Sequence, residues 1–141
     1  MGRLIALDFG TRRVGIAHSD DMKIIASPLT TLSPEETPAF LAQYHRDNGI
    51  ETIVVGKPAH LHSAQAHVDV ENDIKAFIAC LEKALPGVPV ERFDERFTSK
   101  IASAALYASG VPKSKRREKG ALDMTSAAVI LQDYMRWKEN T

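Results

Sequence analysis

The segment Leu4-Ile5-Ala6-Leu7-Asp8-Phe9-Gly10-Thr11-Arg12-Arg13-Val14-Gly15-Ile16-Ala17 constrains the fold most, because an apolar run ends in a carboxylate, turns at a glycine and resumes. An apolar run of about four to eight residues closed by a turn signal reads as a core strand. A charge at the mouth of such a strand is costly unless it is paired, solvated or bound to a metal. Asp8 therefore needs a partner. Two further carboxylates stand in comparable places: Glu95, after the apolar stretch that runs into Phe93 and Asp94, and Asp123, in a segment of helical periodicity. Three carboxylates gathered from distant positions would suit a divalent cation.

The periodicities give a mixed α/β order. Residues 3–9, 13–19 and 23–29 read as three strands with turns near Gly10-Thr11-Arg12 and Asp20-Asp21, too closely spaced for crossover helices, and predict an antiparallel meander. Ser33-Pro34-Glu35-Glu36 has the form of an N-cap, a first-turn proline and a capping-box glutamate, with Thr37 before Pro38 as the alternative start; Asn48-Gly49 closes that helix. Residues 52–56 form a short buried strand. Val70, Ile74, Phe77, Ile78, Leu81 and Leu85 then recur at helical spacing up to Pro86-Gly87, and 88–93 is another strand, so the connection predicts a parallel crossover. Thr98 or Ser99 caps a helix ending at Gly110, and a last helix runs from about Lys119 to Lys138. The order is βββαβαβαα, in one domain spanning 1–141.

Composition sets bounds on this reading. A chain of 141 residues, 44% hydrophobic and 26% charged, has the makeup of one globular domain able to bury its own core. No apolar run approaches the roughly 20 residues of a membrane span. Only four apolar residues separate Arg3 from Asp8, short of a signal-peptide core, so a cytoplasmic location and no membrane partner are expected. The single cysteine, Cys80, forms no internal disulfide and is expected to pack in the core with Phe77, Ile78 and Leu81. Formal charge is zero, which argues against a wholly basic nucleic-acid binder. Locally, residues 113–119 carry five positive charges and one negative just ahead of Asp123. A basic run is commonly a solvated loop, but beside carboxylates it also suits a phosphate-backbone substrate.

Asp8 and Glu95 close strands, where open α/β sheets hold their ligands. Asp123 shares a helix face with Ala127, Ile130, Leu131 and Tyr134, so it heads the apolar face. Each has a structural explanation: Asp8 as a turn residue, Asp94 and Glu95 as partners of Arg92 or Arg96, Asp123 as a favourable charge at a helix N-terminus. Jointly these explanations weaken, since three ionised carboxylates within ligand reach repel one another unless cations are bound.

The motifs Leu7-Asp8-Phe9-Gly10-Thr11-Arg12-Arg13-Val14-Gly15-Ile16-Ala17, Ile53-Val54-Val55-Gly56-Lys57-Pro58, Asp94-Glu95-Arg96-Phe97-Thr98-Ser99 and the Asp123 helix with 127–132 resemble those of the YqgF (RuvX-like) family. The resemblance covers essentially the whole chain. It implies an RNase H-like fold related to Holliday junction resolvases, with a mixed five-stranded sheet of three antiparallel and then parallel strands flanked by helices. It also implies a metal-dependent nuclease that matures the 5′ end of precursor 16S ribosomal RNA. The family's catalytic and metal-binding carboxylates fall on Asp8, Glu95 and Asp123, with Mg²⁺ or Mn²⁺ expected in a two-metal site about 4 Å across. Thr11, Arg12, Arg96, Lys113, Lys115, Arg116 and Arg117 are the candidate substrate contacts. The chain departs from the family after Pro58, where Ala59-His60-Leu61-His62-Ser63 replaces the usual Asp-Gly turn.

His60, His62 and His67 are a weaker candidate for zinc, because no nearby cysteine or carboxylate completes a familiar spacing. Three other functions compete with RNA maturation: branched-DNA resolution, non-catalytic binding of nucleic acid, and the nucleotide binding of actin-like ATPases. The last needs a second domain for which the chain is too short. Retention of all three carboxylates argues against the non-catalytic reading. The sequence sets no oligomeric state.

Overall fold

Leu4 to Leu7 are all buried, as a strand needs to be when helices cover both faces of its sheet. In the computed structural model, which describes residues 2–57, 64–94 and 119–139 and the side chains of all of these except 64–67 and 119–121, that strand is β1 (Arg3–Phe9). It is followed by β2 (Val14–Ser19), β3 (Ala26–Leu32), α1 (Thr37–Asn48), β4 (Ile50–Lys57), α2 (Ala64–Ala84), β5 (Val90–Asp94) and α3 (Lys119–Glu139). The strands form one sheet in the order β3-β2-β1-β4-β5. β1–β2 and β2–β3 pair antiparallel, while β1–β4 and β4–β5 pair parallel. The mixed α/β architecture is therefore as the sequence implied. The proposed 98–110 helix, Glu95, Arg96, the 113–118 basic run, His60 and His62 lie outside the described residues, as does the side chain of His67.

Strand alternation sorts the core into two layers. Ile5, Leu7, Val14, Ile16, Ile53 and Val55 point to α1 and α2, where they meet Leu41, Ile74, Phe77 and Leu81. Leu4, Ala6, Ala17, Ala26 and Val54 point to α3 and meet Ala127, Ala128, Ile130 and Leu131. Alanines on both sides of the second layer bring α3 close to the sheet. Among the described residues, no helix is long and apolar enough to cross a membrane.

The first turn is tight: the Gly10 N–H donates to the Arg13 carbonyl at 2.8 Å, leaving Thr11 and Arg12 at its tip. A Cβ on Gly10 would lie 2.8 Å from that same carbonyl oxygen, so the turn has no room for one. The second turn is longer than the sequence suggests, and β3 covers 26–32 rather than 23–29. Asp20 causes the shift, because its Oδ1 accepts the N–H groups of Ile24 and Ile25 at 2.7 and 2.8 Å and holds them out of the ladder. Lys23 accordingly has a φ of 57°, and Met22, Ile24 and Ile25 are exposed. The N–H groups of Ile25 and Ile24 hold the Asp20 carboxyl below the usual carboxylate range.

The Ser33 capping box forms as read, with Glu36 N–H on Ser33 Oγ and Glu36 Oε1 accepting from Ser33 N–H and Oγ. It sits one turn ahead of α1, which starts at Thr37, the alternative that Pro38 allows. The core role expected of Cys80 is not met, for the thiol is exposed. The buried stripe of α2 runs through Ile74, Phe77, Leu81 and Leu85. Cys80 lies about 100° around the helix from Leu81, beside a cleft of about 410 Å³ lined by Phe9, Pro34, Pro38 and Phe77.

Candidate active site

Asp8 is the register partner of Gly15 across β1 and β2. Residues directly opposite in an antiparallel pair share a face, and Leu4 and Ala6, at even spacing before Asp8, already pack on the α3 side. Asp8 thus belongs to the α3 face. A Cβ built on Gly15 would stand 1.9 Å from the Asp123 carbonyl oxygen and 2.7 Å from the Met124 nitrogen, so only glycine fits there. The missing side chain is what lets the α3 backbone settle against the sheet beside Asp8. Asp8 and Asp123, from opposite ends of the chain, become neighbours of one residue.

Asp123 is partly buried, and its Oδ2 accepts a hydrogen bond from Arg13 Nε at 2.7 Å. Arg13, and not the Arg12 named among the candidate substrate contacts, is the arginine that meets Asp123. Arg12 and Thr11 are exposed at the turn tip. The alternation along β2 held the missing signal: Arg13 is two residues before Gly15 and four before Ala17, on the face that α3 covers.

The parallel strands end level with β1. Leu7 pairs with Val55, Val55 with Arg92, and Lys57 with Asp94, so β5 finishes at the same edge of the sheet as Asp8. Glu95 is the next residue in the chain. Arg92 pairs with Glu71 on α2, with its two terminal nitrogens on Oε2 and Oε1 at 2.7 and 3.0 Å. It also donates to the carbonyl oxygens of Val55 and Gly56, which locks α2 to the ends of β4 and β5. Hydrogen bonds from Arg92 hold the Glu71 carboxyl below its usual range against the opposing effect of burial.

Asp8 and Asp123 offer carboxylate oxygens, the ligand type that Mg²⁺ and Mn²⁺ prefer. Among the described residues, no group of three or more His, Cys, Asp or Glu gathers that could hold a metal. The carboxylates present fit a divalent cation in chemistry, and Asp123 already accommodates positive charge in the form of Arg13.

Known proteins resemble this chain in sequence and in fold. The family described as RuvX, Holliday junction resolvase, matches residues 2–137. A Christiangramia forsetii protein named "Putative pre-16S rRNA nuclease" is 40% identical over 137 residues, covering 96% of this chain and 98% of its own length. A Bacteroides fragilis protein of the same name is 39% identical over 138 residues, covering 98% and 99%. Among solved structures, T. thermophilus RuvC in complex with a Holliday junction substrate superposes with a TM-score of 0.60 at 14% identity, covering 97% of this chain and 96% of that one. The Fowlpox virus resolvase bound to Holliday junction DNA gives 0.55 at 11% identity, covering 96% and 98%. These two establish a shared fold, that of the resolvases.

Proposed function

The chain belongs to the RuvX family, and from that footing we propose that it is a single-domain, divalent-metal-dependent nuclease of the cytoplasm that hydrolyses phosphodiester bonds at the 5′ end of precursor 16S ribosomal RNA. The observation that carries the reading is the contact at Gly15, which seats Asp123 beside Asp8 on one face of the sheet.

In this reading Asp8 and Asp123 are ligands for Mg²⁺ or Mn²⁺, and Glu95, which follows the last residue of β5, is the third. Such ions, when bound, supply Lewis-acid polarisation of the phosphate and lower the pKa of an attacking water. The protein's own part is to fix the carboxylates and to orient the strand. Arg13 holds the Asp123 carboxylate at 2.7 Å. Thr11 and Arg12, exposed beyond the end of β1, meet phosphate oxygens of the substrate, and Arg96, Lys113, Lys115, Arg116 and Arg117 extend that contact along the backbone.

The choice of ribosomal RNA rests on the shared name of the curated relatives. A second reading, resolution of four-way DNA junctions, is favoured by the family description and by fold neighbours solved on junction DNA. A cleavage panel separates them: precursor 16S ends, single strands and four-way junctions, each with Mg²⁺ or Mn²⁺. Preferential cleavage of the precursor end supports the first reading, and preferential cleavage of the junction supports the second. Failure to cut any substrate with either metal refutes both.

A further inference from the structure

Two arginine–carboxylate pairs stand at this end of the sheet, and they are built differently. Arg92 grips both oxygens of Glu71 with its terminal nitrogens and spends Nε on the Val55 carbonyl, a fork engaged on every prong. The Arg13–Asp123 contact runs through Nε to one oxygen, and the arginine side chain is 42% exposed where that of Arg92 is 25%. Single, partly solvated contacts of this kind contribute little and break readily. The first pair is a brace. The second is placed to exchange.

Its position gives the exchange a purpose. The Arg13 carbonyl is pinned by the Gly10 N–H in the turn that follows Asp8, so the β1–β2 hairpin that delivers one carboxylate also delivers the cation that meets the other. Carboxylates gathered around Gly15 repel unless positive charge is present. Resting on the metal-nuclease reading above, we propose that Arg13 is an exchangeable counter-ion: its guanidinium neutralises Asp123 in the absence of a divalent cation and passes to a phosphate oxygen of the nucleic-acid strand once a cation takes Asp123.

Every group keeps a partner of opposite charge in the exchange. Asp123 trades a guanidinium for a metal ion, and the guanidinium trades a carboxylate for a phosphate, which its planar fork binds equally well. Cation binding then frees a phosphate ligand, so the cation tightens nucleic-acid binding and, by linkage, nucleic acid tightens cation binding. Arg13 thus holds Asp123 in one state and contacts the substrate in the other.

Two measurements test this on wild type, Arg13→Gln and Arg13→Lys: Mn²⁺ titration by electron paramagnetic resonance without nucleic acid, and oligonucleotide binding across salt concentrations in Ca²⁺ and in EDTA. Arg13→Gln should bind Mn²⁺ tighter than wild type, on the order of three- to fivefold, because a competing cation has gone. Its salt slope should fall by about 0.7–0.9 log units in Ca²⁺ and stay unchanged in EDTA. Arg13→Lys, which keeps the charge, should retain the wild-type slope. Unchanged or weaker Mn²⁺ affinity in an Arg13→Gln protein that melts like wild type overturns the proposal. A slope lost equally in EDTA also overturns it, since Arg13 would then be a constant phosphate contact. Wild type that binds no Mn²⁺ at millimolar concentration refutes the metal-nuclease reading itself, which keeps the two failures apart.

Discussion

Gly15→Ala is the sharpest perturbation available, because it adds one methyl group at the point where sheet and helix meet. The new Cβ would start 1.9 Å from the Asp123 carbonyl oxygen, and ordinary contact begins at 3.4 Å, so the α3 backbone has to retreat by about 1.5 Å. Both sides of the clash are backbone, held by β2 on one side and a 21-residue helix on the other, so no side-chain rotamer relieves it. Overpacking typically costs about 1–3 kcal/mol, and a rigid contact belongs at the top of that range, about 3 kcal/mol. The retreat also draws Asp123 away from Asp8, and a displacement of about 1 Å at a reacting centre can cost about 100-fold in rate. Urea unfolding measures the first effect, and metal-dependent cleavage corrected for folded fraction measures the second. Gly87→Ala is the control: Gly87 has a φ of 86° with nothing within 4 Å of its added Cβ, so that variant should lose about 1–2 kcal/mol of stability and no activity. If Gly15→Ala unfolds within about 0.5 kcal/mol of wild type and cleaves at the wild-type rate, the account of how the site is assembled is wrong.

Asp8→Asn keeps size and hydrogen-bonding shape while removing a charge, so it should abolish cleavage, keep nucleic-acid binding and leave metal-free stability equal or higher; circular dichroism melts and a cleavage assay check this. Neutralising Lys115, Arg116 and Arg117 together should weaken binding to all sequences and reduce the salt slope by about 0.7–0.9 log units per lost contact, and an unchanged slope returns the cluster to a solvated loop. The Glu71 carboxyl titrates below its unfolded value, so its contribution is full above the unfolded pKa of about 4.3 and is lost as pH falls through the lower folded value. The stability gap between wild type and Glu71→Gln should therefore close in acid, and a gap that persists through strongly acidic pH counts against the Arg92 brace.

The sheet was legible in the sequence wherever burial writes a pattern. The run from Leu4 to Leu7, the Gly10 turn and the Asn48-Gly49 stop all became the boundaries they predicted, because each rests on local sterics or on two-sided burial. β3 was misread because Ile24 and Ile25 look like core, whereas the Asp20 carboxylate captures their N–H groups and leaves the side chains in solvent. Cys80 was misread because its neighbours on both sides are apolar, yet one helical step separates an inward position from an outward one. At the site, the placement of Asp123 on the apolar face of its helix was legible from offsets alone. The role of Gly15 was not, since a residue that acts by lacking a side chain shows its purpose only when the surface it admits is known. Arg13 went unseen for a related reason: its partner lies 110 residues away.

That separation has a consequence for synthesis. Strands fold from the N-terminus as the chain emerges, at about 5–20 residues per second, but Asp123 is made 110 residues after Arg13. Until then the surface around Ala17 and Ala26 lacks its cover and Asp8 lacks its companion. In the reading proposed above, a nascent chain therefore carries an incomplete site until α3 docks, and that docking completes the site and closes the apolar face in the same step.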